Sequence, residues 1–301
     1  MASAKRHIIS KHLFIVLATG LISCGVSDEI KQYAATETYP NDTKLESVTE
    51  KKALIVVAHD DDMCAMSGTM SKLNNNGWEI GIVSFSQTPE RDNAQIQACK
   101  NILDTVIFVQ LKPEEIRNDN ENSKPRYSAF PKANFNTVFN IKTIEKNYLE
   151  IIRNFNPAVI FTLDNEIGAY GHPEHVLISQ MVLDWAEKKI IHPQYIYQSV
   201  YTPHMQESIM QRHSERMKSW GYPSDEWEKA KKTYDIQGLP MPDVQINITS
   251  EAEQKMAYLR SYNERERKTI GFYVPEFEKY PAEKYFAVFD REFYRVFSYQ
   301  K

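Results

Sequence analysis

The feature that most constrains the fold is a set of short apolar runs, each followed by a segment whose apolar residues have helical spacing. Residues 53–58 are all apolar, and a run without polar alternation is typical of a parallel strand buried on both faces. Met66, Met70 and Leu73 follow at helical spacing. Repetition of this pattern predicts a mostly parallel sheet with helices on both faces, joined by right-handed crossovers.

The predicted elements alternate as such a sheet requires. Strands are predicted at residues 53–58, 78–85, 106–111 and 158–163, with late strands or a strand–helix end at 285–289 and 293–297. Helices are predicted at residues 91–103, 141–155, 173–188 and 252–264. No Gly-x-Gly-x-x-Gly motif follows the first strand, so dinucleotide binding has no support.

The length of 301 residues and the apolar fraction of 42% suit one large α/β domain. We assign this domain to residues 51–301. The formal net charge of -4 gives no reason to expect binding to nucleic acid or to an anionic membrane surface.

The N-terminus has the layout of an export signal. Basic residues between positions 5 and 12 precede an apolar stretch at residues 13–21, which is too short to span a bilayer. The sequence up to Ser23-Cys24 resembles a bacterial lipobox, in which the cysteine is lipidated; an ordinary signal peptide with a chance cysteine is the alternative. We predict a signal peptide at residues 1–24, a flexible tether at 25–50, and export as a lipid-anchored protein of the bacterial cell envelope.

Two short clusters of imidazole and carboxylate residues carry the chemistry. Residues 58–62 are Ala-His-Asp-Asp-Asp, directly after the first strand, and residues 171–175 are Gly-His-Pro-Glu-His, after the strand at 158–163. Open α/β sheets place their active sites where the parallel strands end. The sequence therefore predicts that both clusters lie at one edge of the sheet.

The clusters contain a ligand set for a catalytic zinc ion, which takes three protein ligands and keeps one position open. We predict His59, Asp62 and His175 as the ligands, a set that also suits Fe²⁺ or another divalent metal. Asp61 is the candidate general base for water. His172, as a cation, would steady a developing oxyanion or protonate a leaving nitrogen. These parts suit metal-assisted amide hydrolysis.

Each cluster has another interpretation when it is taken alone. Consecutive aspartates also occur in solvated turns and helix caps, and a single His-x-x-His is a weak sign of a metal. Cys64 lies near the aspartates, but its expected role is that of a small buried hydrophobic residue. The placement of both clusters after predicted strands favours the metal site.

At these residues the chain resembles the PIG-L/LmbE-like family of metal-dependent de-N-acetylases. Family members typically carry Ala-His-Pro-Asp-Asp-Glu and His-Pro-Asp-His, where residues 58–63 are Ala-His-Asp-Asp-Asp-Met and residues 172–175 are His-Pro-Glu-His. The resemblance implies a Rossmann-like three-layer α/β sandwich with an LmbE-like, mostly parallel sheet. It also implies zinc ligation by His59, Asp62 and His175, a general base at Asp61, and transition-state stabilisation or acid catalysis by His172.

The chain departs from the family pattern at several positions. Asp60 replaces the usual proline, Met63 replaces the usual glutamate, and Gln95 aligns with a glutamate on the helix after the second strand. These changes spare the ligand set but leave open a weak or inactive surface glycan-binding lipoprotein. The candidate substrate-binding residues are Arg91, Asn165, Glu166 and Tyr170.

The resemblance implies a zinc-dependent N-deacetylase that hydrolyses a linear amide. Its predicted substrate is the N-acetyl group of an N-acetylglucosamine-type sugar or glycoconjugate. A zinc hydrolase of a different amide, such as a mycothiol-type or antibiotic conjugate, is the alternative among enzymes.

Overall fold

The structure is a computed structural model that describes residues 28–118 and 126–299. The predicted signal peptide and the candidate lipidation site Cys24 lie outside these residues. In the described part of the chain, no helix combines the length and the apolar character needed to cross a membrane.

Strands and helices alternate along the chain. The strands are β1 Lys52–Val56, β2 Glu79–Phe85, β3 Thr105–Val109, β4 Val159–Leu163, β5 Tyr195–Val200, β6 Val244–Asn247 and β7 Arg291–Ser298. The helices are α1 Ser67–Asn75, α2 Pro89–Cys99, α3 Pro113–Ile116, α4 Phe135–Val138, α5 Ile141–Phe155, α6 Gly168–Gly171, α7 Pro173–Glu187, α8 Pro203–Ser219, α9 Glu226–Tyr234, α10 Ala252–Ser261, α11 Glu264–Tyr273 and α12 Ala282–Phe286.

The described strands form one seven-stranded sheet in the order β3-β2-β1-β4-β5-β7-β6. The first five strands in this order run parallel, and β7 is antiparallel to both of its neighbours. The predicted mostly parallel α/β fold is confirmed. The chain moves outward from β1 to β3 and then returns to β4 on the other side of β1. The loops after β1 and β4 therefore flank the crevice in which open α/β sheets bind ligands.

Hydrophobic cores lie on both faces of the sheet. Ile55 belongs to one core, and Leu54 and Val56 belong to the other, because successive side chains of a strand point to opposite faces. All three are fully buried. Burial of each such side chain stabilises the fold by about 1.5–3 kcal/mol, which explains why β1 contains no polar alternation.

The late strand predicted at residues 285–289 is wrong, because this segment begins inside helix α12. Tyr285 and Phe286 are consecutive and both buried, so their pattern does not alternate as a half-exposed strand would. Short apolar runs do not distinguish a strand from a buried helical turn. The second predicted late strand, at 293–297, lies within β7.

Residues 28–50 pack against the domain and are not a free tether. Ile30 and Val48 are buried in the core. The backbone at Asn41 pairs with that of Gln245, and Asp42 accepts a hydrogen bond from the hydroxyl of Tyr197 at 2.7 Å. The prediction of a flexible tether is therefore wrong for this part, because buried apolar residues hold a mostly polar segment against the domain.

Candidate metal centre

The first cluster is organised by one of its own carboxylates. After β1 the chain enters a 3-10 turn at Asp62–Ala65. Asp62 Oδ2 accepts hydrogen bonds from the backbone N–H groups of Ala58 at 3.2 Å and His59 at 2.8 Å. At the end of the strand, Tyr148 donates from its hydroxyl to the carbonyl of Val57 at 2.8 Å. The turn therefore fixes Asp62 and leaves Oδ1 free for another contact.

The second cluster is preceded by a tight loop that one buried carboxylate holds together. Asp164 accepts hydrogen bonds from four backbone N–H groups at 2.6–3.2 Å, those of Glu166, Ile167, Gly168 and Ala169. Ala169 has a φ of 65° and a ψ of -61°, a conformation that persists only where its surroundings impose it. The Asp164 carboxylate supplies that restraint.

Position 168 requires glycine, because the backbone there approaches His175 closely. It has a φ of +63°, and a Cβ atom at this position would lie 2.8 Å from the Cβ of His175. Without a side chain here, the loop packs directly on the first turn of α7 and brings the Gly168 carbonyl within 3.1 Å of His175 Nδ1. Pro173 at the start of α7 sets the helical entry that aims His175 at the crevice.

The three predicted ligand residues converge. His59 Nδ1 lies 2.8 Å from His175 Nε2, His175 Nε2 lies 3.0 Å from Asp62 Oδ1, and His59 Nδ1 lies 3.8 Å from Asp62 Oδ2. Ligand atoms about 2.1 Å from one tetrahedral ion are separated by about 3.4 Å. The observed separations bracket this value, so the arrangement fits a single cation.

The hydrogen bonds of the two imidazoles fix which nitrogen faces the centre. His59 Nε2 lies 2.9 Å from Glu174 Oε2, and His175 Nδ1 contacts the Gly168 carbonyl. Since both partners are acceptors, these ring nitrogens carry the protons. His59 Nδ1 and His175 Nε2 then both present lone pairs to one point beside the Asp62 carboxylate. Either a proton or a metal ion at that point would join these donors, and imidazole nitrogens and carboxylate oxygens are ligands that Zn²⁺ takes in proteins. The arrangement therefore supports the predicted metal site.

Electrostatics agree with this assignment. Burial opposes ionisation of Asp62, but the neighbouring imidazoles of His175 and His59 hold its pKa well below the ordinary value. For His59, burial again opposes the charged form, and hydrogen bonds to Asp62 and Glu174 raise its pKa well above the ordinary value. The centre therefore holds an ionised carboxylate and attracts positive charge.

Asp61 lies at the edge of this centre and lines a neighbouring cavity. Burial and the adjacent Asp62 raise its pKa, as is expected of a carboxylate that accepts a proton near neutral pH. Arg91 Nη2 lies 3.7 Å away and is held by Asp60, which is buried and bridges it through both oxygens. Burial first, and then Asp61, raise the pKa of Asp60 to about 7. The residue in the usual proline position thus anchors Arg91 beside Asp61.

His172 lies next to the ligands, and a ligand atom of His172 lies within 4.8 Å of those of His59 and His175. Its Nδ1 accepts a hydrogen bond from the backbone N–H of Glu174 at 3.2 Å, so Nε2 carries the proton. Burial first, and then the neighbouring imidazoles of His175 and His59, lower the pKa of His172 well below the ordinary value. Burial and this hydrogen bond favour a neutral imidazole that donates from Nε2–H, and the cationic role of His172 stays a prediction.

The candidate substrate-binding residues do not all line the cavity beside the candidate metal centre. Tyr170 lines the cavity, and its ring packs edge-on to His175 with ring centroids 5.3 Å apart. Asn165 is bonded to Gln180 and Gln198, and Glu166 pairs with Arg295. These contacts hold the loop in place, and neither residue lines the cavity beside the metal centre.

Met63, Gln95 and Cys64 have structural roles. Met63 is fully buried in the core. Gln95 is also buried, and its Oε1 accepts a hydrogen bond from Ser84 at 3.1 Å. Cys64 is buried, and burial raises the pKa of its thiol, as expected of a small hydrophobic residue.

A cavity of about 60 Å³ adjoins the candidate metal centre, and sequence reasoning missed most of its wall. Helices α8 and α11 cover it and contribute, among others, Gln206, Met210, Ile270 and Tyr273. Tyr273 stacks on Tyr170 with ring centroids 4.6 Å apart. These positions carry no motif, so only the tertiary structure reveals them.

Fold and site together define an α/β protein with two imidazoles and a carboxylate gathered at the switch point of a parallel sheet. Residues 54–186 match the family model PIG-L, described as GlcNAc-PI de-N-acetylase. This match confirms the resemblance seen in the two motifs.

One curated relative and two solved structures illustrate the similarity. A probable N-acetylglucosaminyl-phosphatidylinositol de-N-acetylase of Dictyostelium discoideum is 26% identical over 134 residues, which are 44% of this chain and 48% of the relative. The match therefore spans about half of that relative's length. The N,N'-diacetylchitobiose deacetylase from Pyrococcus horikoshii is 16% identical, with 82% of this chain and 84% of that chain covered and a TM-score of 0.43. GalB, the 4-carboxy-2-hydroxymuconate hydratase from Pseudomonas putida KT2440, is 13% identical, with 82% and 95% covered and a TM-score of 0.46.

Proposed function

We propose that the protein is a metal-dependent amidohydrolase that removes the N-acetyl group from an N-acetylglucosamine-type sugar or glycoconjugate. The observation that carries this proposal is the convergence of His59, Asp62 and His175 beside the carboxylate of Asp61. The match of residues 54–186 to the PIG-L family model supports the choice of an N-acetyl amino sugar.

His59, Asp62 and His175 would hold the cation, since their lone pairs face one point. Two imidazoles and one carboxylate suit Zn²⁺, and Fe²⁺ is the main alternative. When bound, the cation supplies Lewis acidity that polarises the amide carbonyl and makes water more acidic.

The residues around the ligands supply the proton transfers. Asp61 accepts the proton of the attacking water, and Arg91 at 3.7 Å steadies the carboxylate. His172 donates from Nε2–H to the oxyanion that develops on the amide carbonyl. Asp61 then returns the proton to the leaving nitrogen, so that water and amide give acetate and a free amine.

An acetate-release assay tests the proposal directly. Purified protein is offered a panel of N-acetylglucosamine derivatives before and after treatment with a chelator, and Zn²⁺ or Fe²⁺ is then restored. We expect acetate release that the chelator abolishes and the metal restores. Turnover that is indifferent to complete metal removal would contradict the proposal, and release only from amides without an amino sugar would favour the alternative substrate class.

We also propose that the protein is exported and anchored to the bacterial cell envelope through a lipid on Cys24. The basic segment, the short apolar stretch and the cysteine at its end support this. Metabolic labelling with a fatty acid should mark the wild-type chain and not a Cys24→Ser variant. Equal labelling of both would contradict the proposal.

A further inference from the structure

Arg91 is shared by three carboxylates beside the candidate metal centre. Asp60 accepts hydrogen bonds from Nε of Arg91 at 3.2 Å and from Nη2, so both of its oxygens pair with one edge of the guanidinium. Asp61 Oδ1 lies 3.7 Å from Nη2, and Glu266 Oε1 lies 3.7 Å from Nε. Asp61 and Glu266 therefore attract opposite ends of the edge that Asp60 holds.

The separation between Arg91 and Asp61 is too long for a hydrogen bond, since N–H···O bonds have lengths of about 2.7–3.2 Å. Opposite charges at this range nevertheless attract each other where water is scarce, and the side chains of Arg91 and Asp61 are only 25% and 17% exposed. A guanidinium held by Asp60 alone would gain a further hydrogen bond by moving about 1 Å toward Asp61. The observed distance therefore calls for an opposing attraction.

Glu266 supplies an opposing attraction from a distant part of the chain. It lies in the first turn of α11, where the helix dipole favours a negative charge. The residue is only 4% exposed, and within residues 28–118 and 126–299 Arg91 is the only cationic group within 4.0 Å of its carboxylate. Glu266 Oε2 is buried without a hydrogen-bond partner in the same part of the chain. Burying a carboxylate costs free energy, and the attraction to Arg91 is the contact that offsets this cost.

The start of α11 is also tied to the loop that carries the two aspartates. Tyr262, between α10 and α11, donates from its hydroxyl to the backbone carbonyl of Asp60 at 2.6 Å. Asn263 then caps α11 by accepting hydrogen bonds from backbone N–H groups, including that of Glu266 at 3.1 Å. Tyr262 is buried. These contacts favour a fixed position of Glu266 relative to both Asp60 and Asp61.

We propose that Glu266 is a positioning residue that holds the Arg91 guanidinium short of a hydrogen bond with Asp61. The inference rests on the proposed amide hydrolysis, in which Asp61 accepts the proton of the attacking water. A carboxylate oxygen that already accepts a hydrogen bond from a guanidinium is less available to a water molecule. At 3.7 Å, Arg91 attracts Asp61 and leaves its Oδ1 open to the water.

Glu266→Gln tests this role because it removes the charge and keeps the size of the side chain. Arg91 should then close on Asp61, so kcat for acetate release should fall by at least about tenfold, while KM changes by less than about twofold. Glu266→Asp keeps the charge and should retain a higher kcat than Glu266→Gln. A Glu266→Gln enzyme with a smaller loss of kcat, or an aspartate variant no better than the glutamine variant, would overturn the proposal.

A second substitution separates positioning from a general structural role. Arg91→Gln removes the cation that would close on Asp61, so the addition of Glu266→Gln should lower kcat further by less than about twofold. A larger further loss would show that Glu266 acts independently of Arg91 and would overturn the proposal.

Glu264→Gln is the matched control. Glu264 lies in the same helical turn as Glu266, but it is exposed and pairs with Lys268 at 3.0 Å. This variant should keep the wild-type kcat and KM. A loss of kcat equal to that of Glu266→Gln would show that any charge in this turn has the effect, which would overturn the assignment of Glu266.

Crystal structures of the metal-loaded wild type and of Glu266→Gln separate failure of this inference from failure of the proposed function. If the wild type hydrolyses no amide, the proposed function fails, and the distance from Arg91 Nη2 to Asp61 Oδ1 still tests the positioning role. This distance should shorten from 3.7 Å in the wild type to about 3.2 Å or less in the variant. A distance that does not shorten would overturn the inference on its own.

Discussion

Glu174 and His59 form the contact that determines which nitrogen of His59 faces the candidate metal centre. Glu174 Oε2 accepts a hydrogen bond from His59 Nε2 at 2.9 Å, which leaves Nδ1 of the same ring facing His175 and Asp62. The Glu174 carboxylate is itself buried, and its other oxygen lies 3.9 Å from the guanidinium of Arg117. A carboxylate behind a ligand histidine fixes the tautomer and strengthens the ligand.

Glu174→Ala should therefore weaken metal binding by about 10- to 100-fold, because His59 loses the partner that holds its proton on Nε2. Competition with a chromophoric chelator measures the affinity. Glu174→Gln keeps an acceptor oxygen and should lose less. Equal affinities for the wild type and the alanine variant would contradict this role.

Asp61→Asn should lower kcat by about 10²- to 10⁴-fold, because the amide cannot accept the proton of water. Metal content should stay at the wild-type level, since Asp61 is not among the three converging ligands. Acetate release and elemental analysis check the two parts. Asp225→Asn removes an exposed carboxylate on the surface and should change neither. A fully active Asp61→Asn enzyme would remove Asp61 as the base.

Asp164→Ala should lower the free energy of unfolding by at least about 2 kcal/mol, because four backbone N–H groups lose a shared charged acceptor. The loop that presents the Gly168 carbonyl to His175 would also relax, so metal affinity should fall. Urea denaturation measures the first effect. Glu207→Ala, at an exposed position on α8, is the control. Unchanged stability would show that the four hydrogen bonds are dispensable.

His213 makes stability depend on pH. Burial first, and then Arg216 and Arg212, lower its pKa in the folded state to about 4, whereas an unfolded histidine has a pKa of about 6.5. Above pH 6.5 the imidazole is neutral in both states. As the pH falls from 6.5 to 4, only the unfolded chain takes up a proton, so stability decreases.

His213→Gln removes this proton uptake and should flatten the pH dependence of stability between pH 6.5 and 4. At pH 5, proton uptake by the unfolded chain lowers the free energy of unfolding of the wild type by about 2 kcal/mol at most, at about 1.4 kcal/mol for each pH unit. The variant should not show this loss. Urea midpoints at pH 7 and pH 5 provide the measurement. His192→Gln, at an exposed site, should keep the wild-type slope. A slope that His213→Gln leaves intact would contradict the assignment.

Local sequence patterns predicted much of the fold because they report burial directly. Residues 141–155 were predicted as a helix and form α5 with the same bounds, because Ile144, Tyr148 and Ile152 recur on one buried face. The run at 53–58 likewise marks a strand with cores on both sides. The strand predicted at residues 285–289 is wrong, because a short apolar run reports burial but also fits a buried helical turn.

The sequence by itself identified the candidate ligands and the strands that precede them, since His59, Asp62 and His175 follow recognisable runs and spacings. Only the tertiary structure decided that β4 returns beside β1, which brings atoms from segments 116 positions apart to within 2.8 Å. It also decided which nitrogen of each imidazole carries the proton. These depend on contacts between distant segments, which no local pattern encodes.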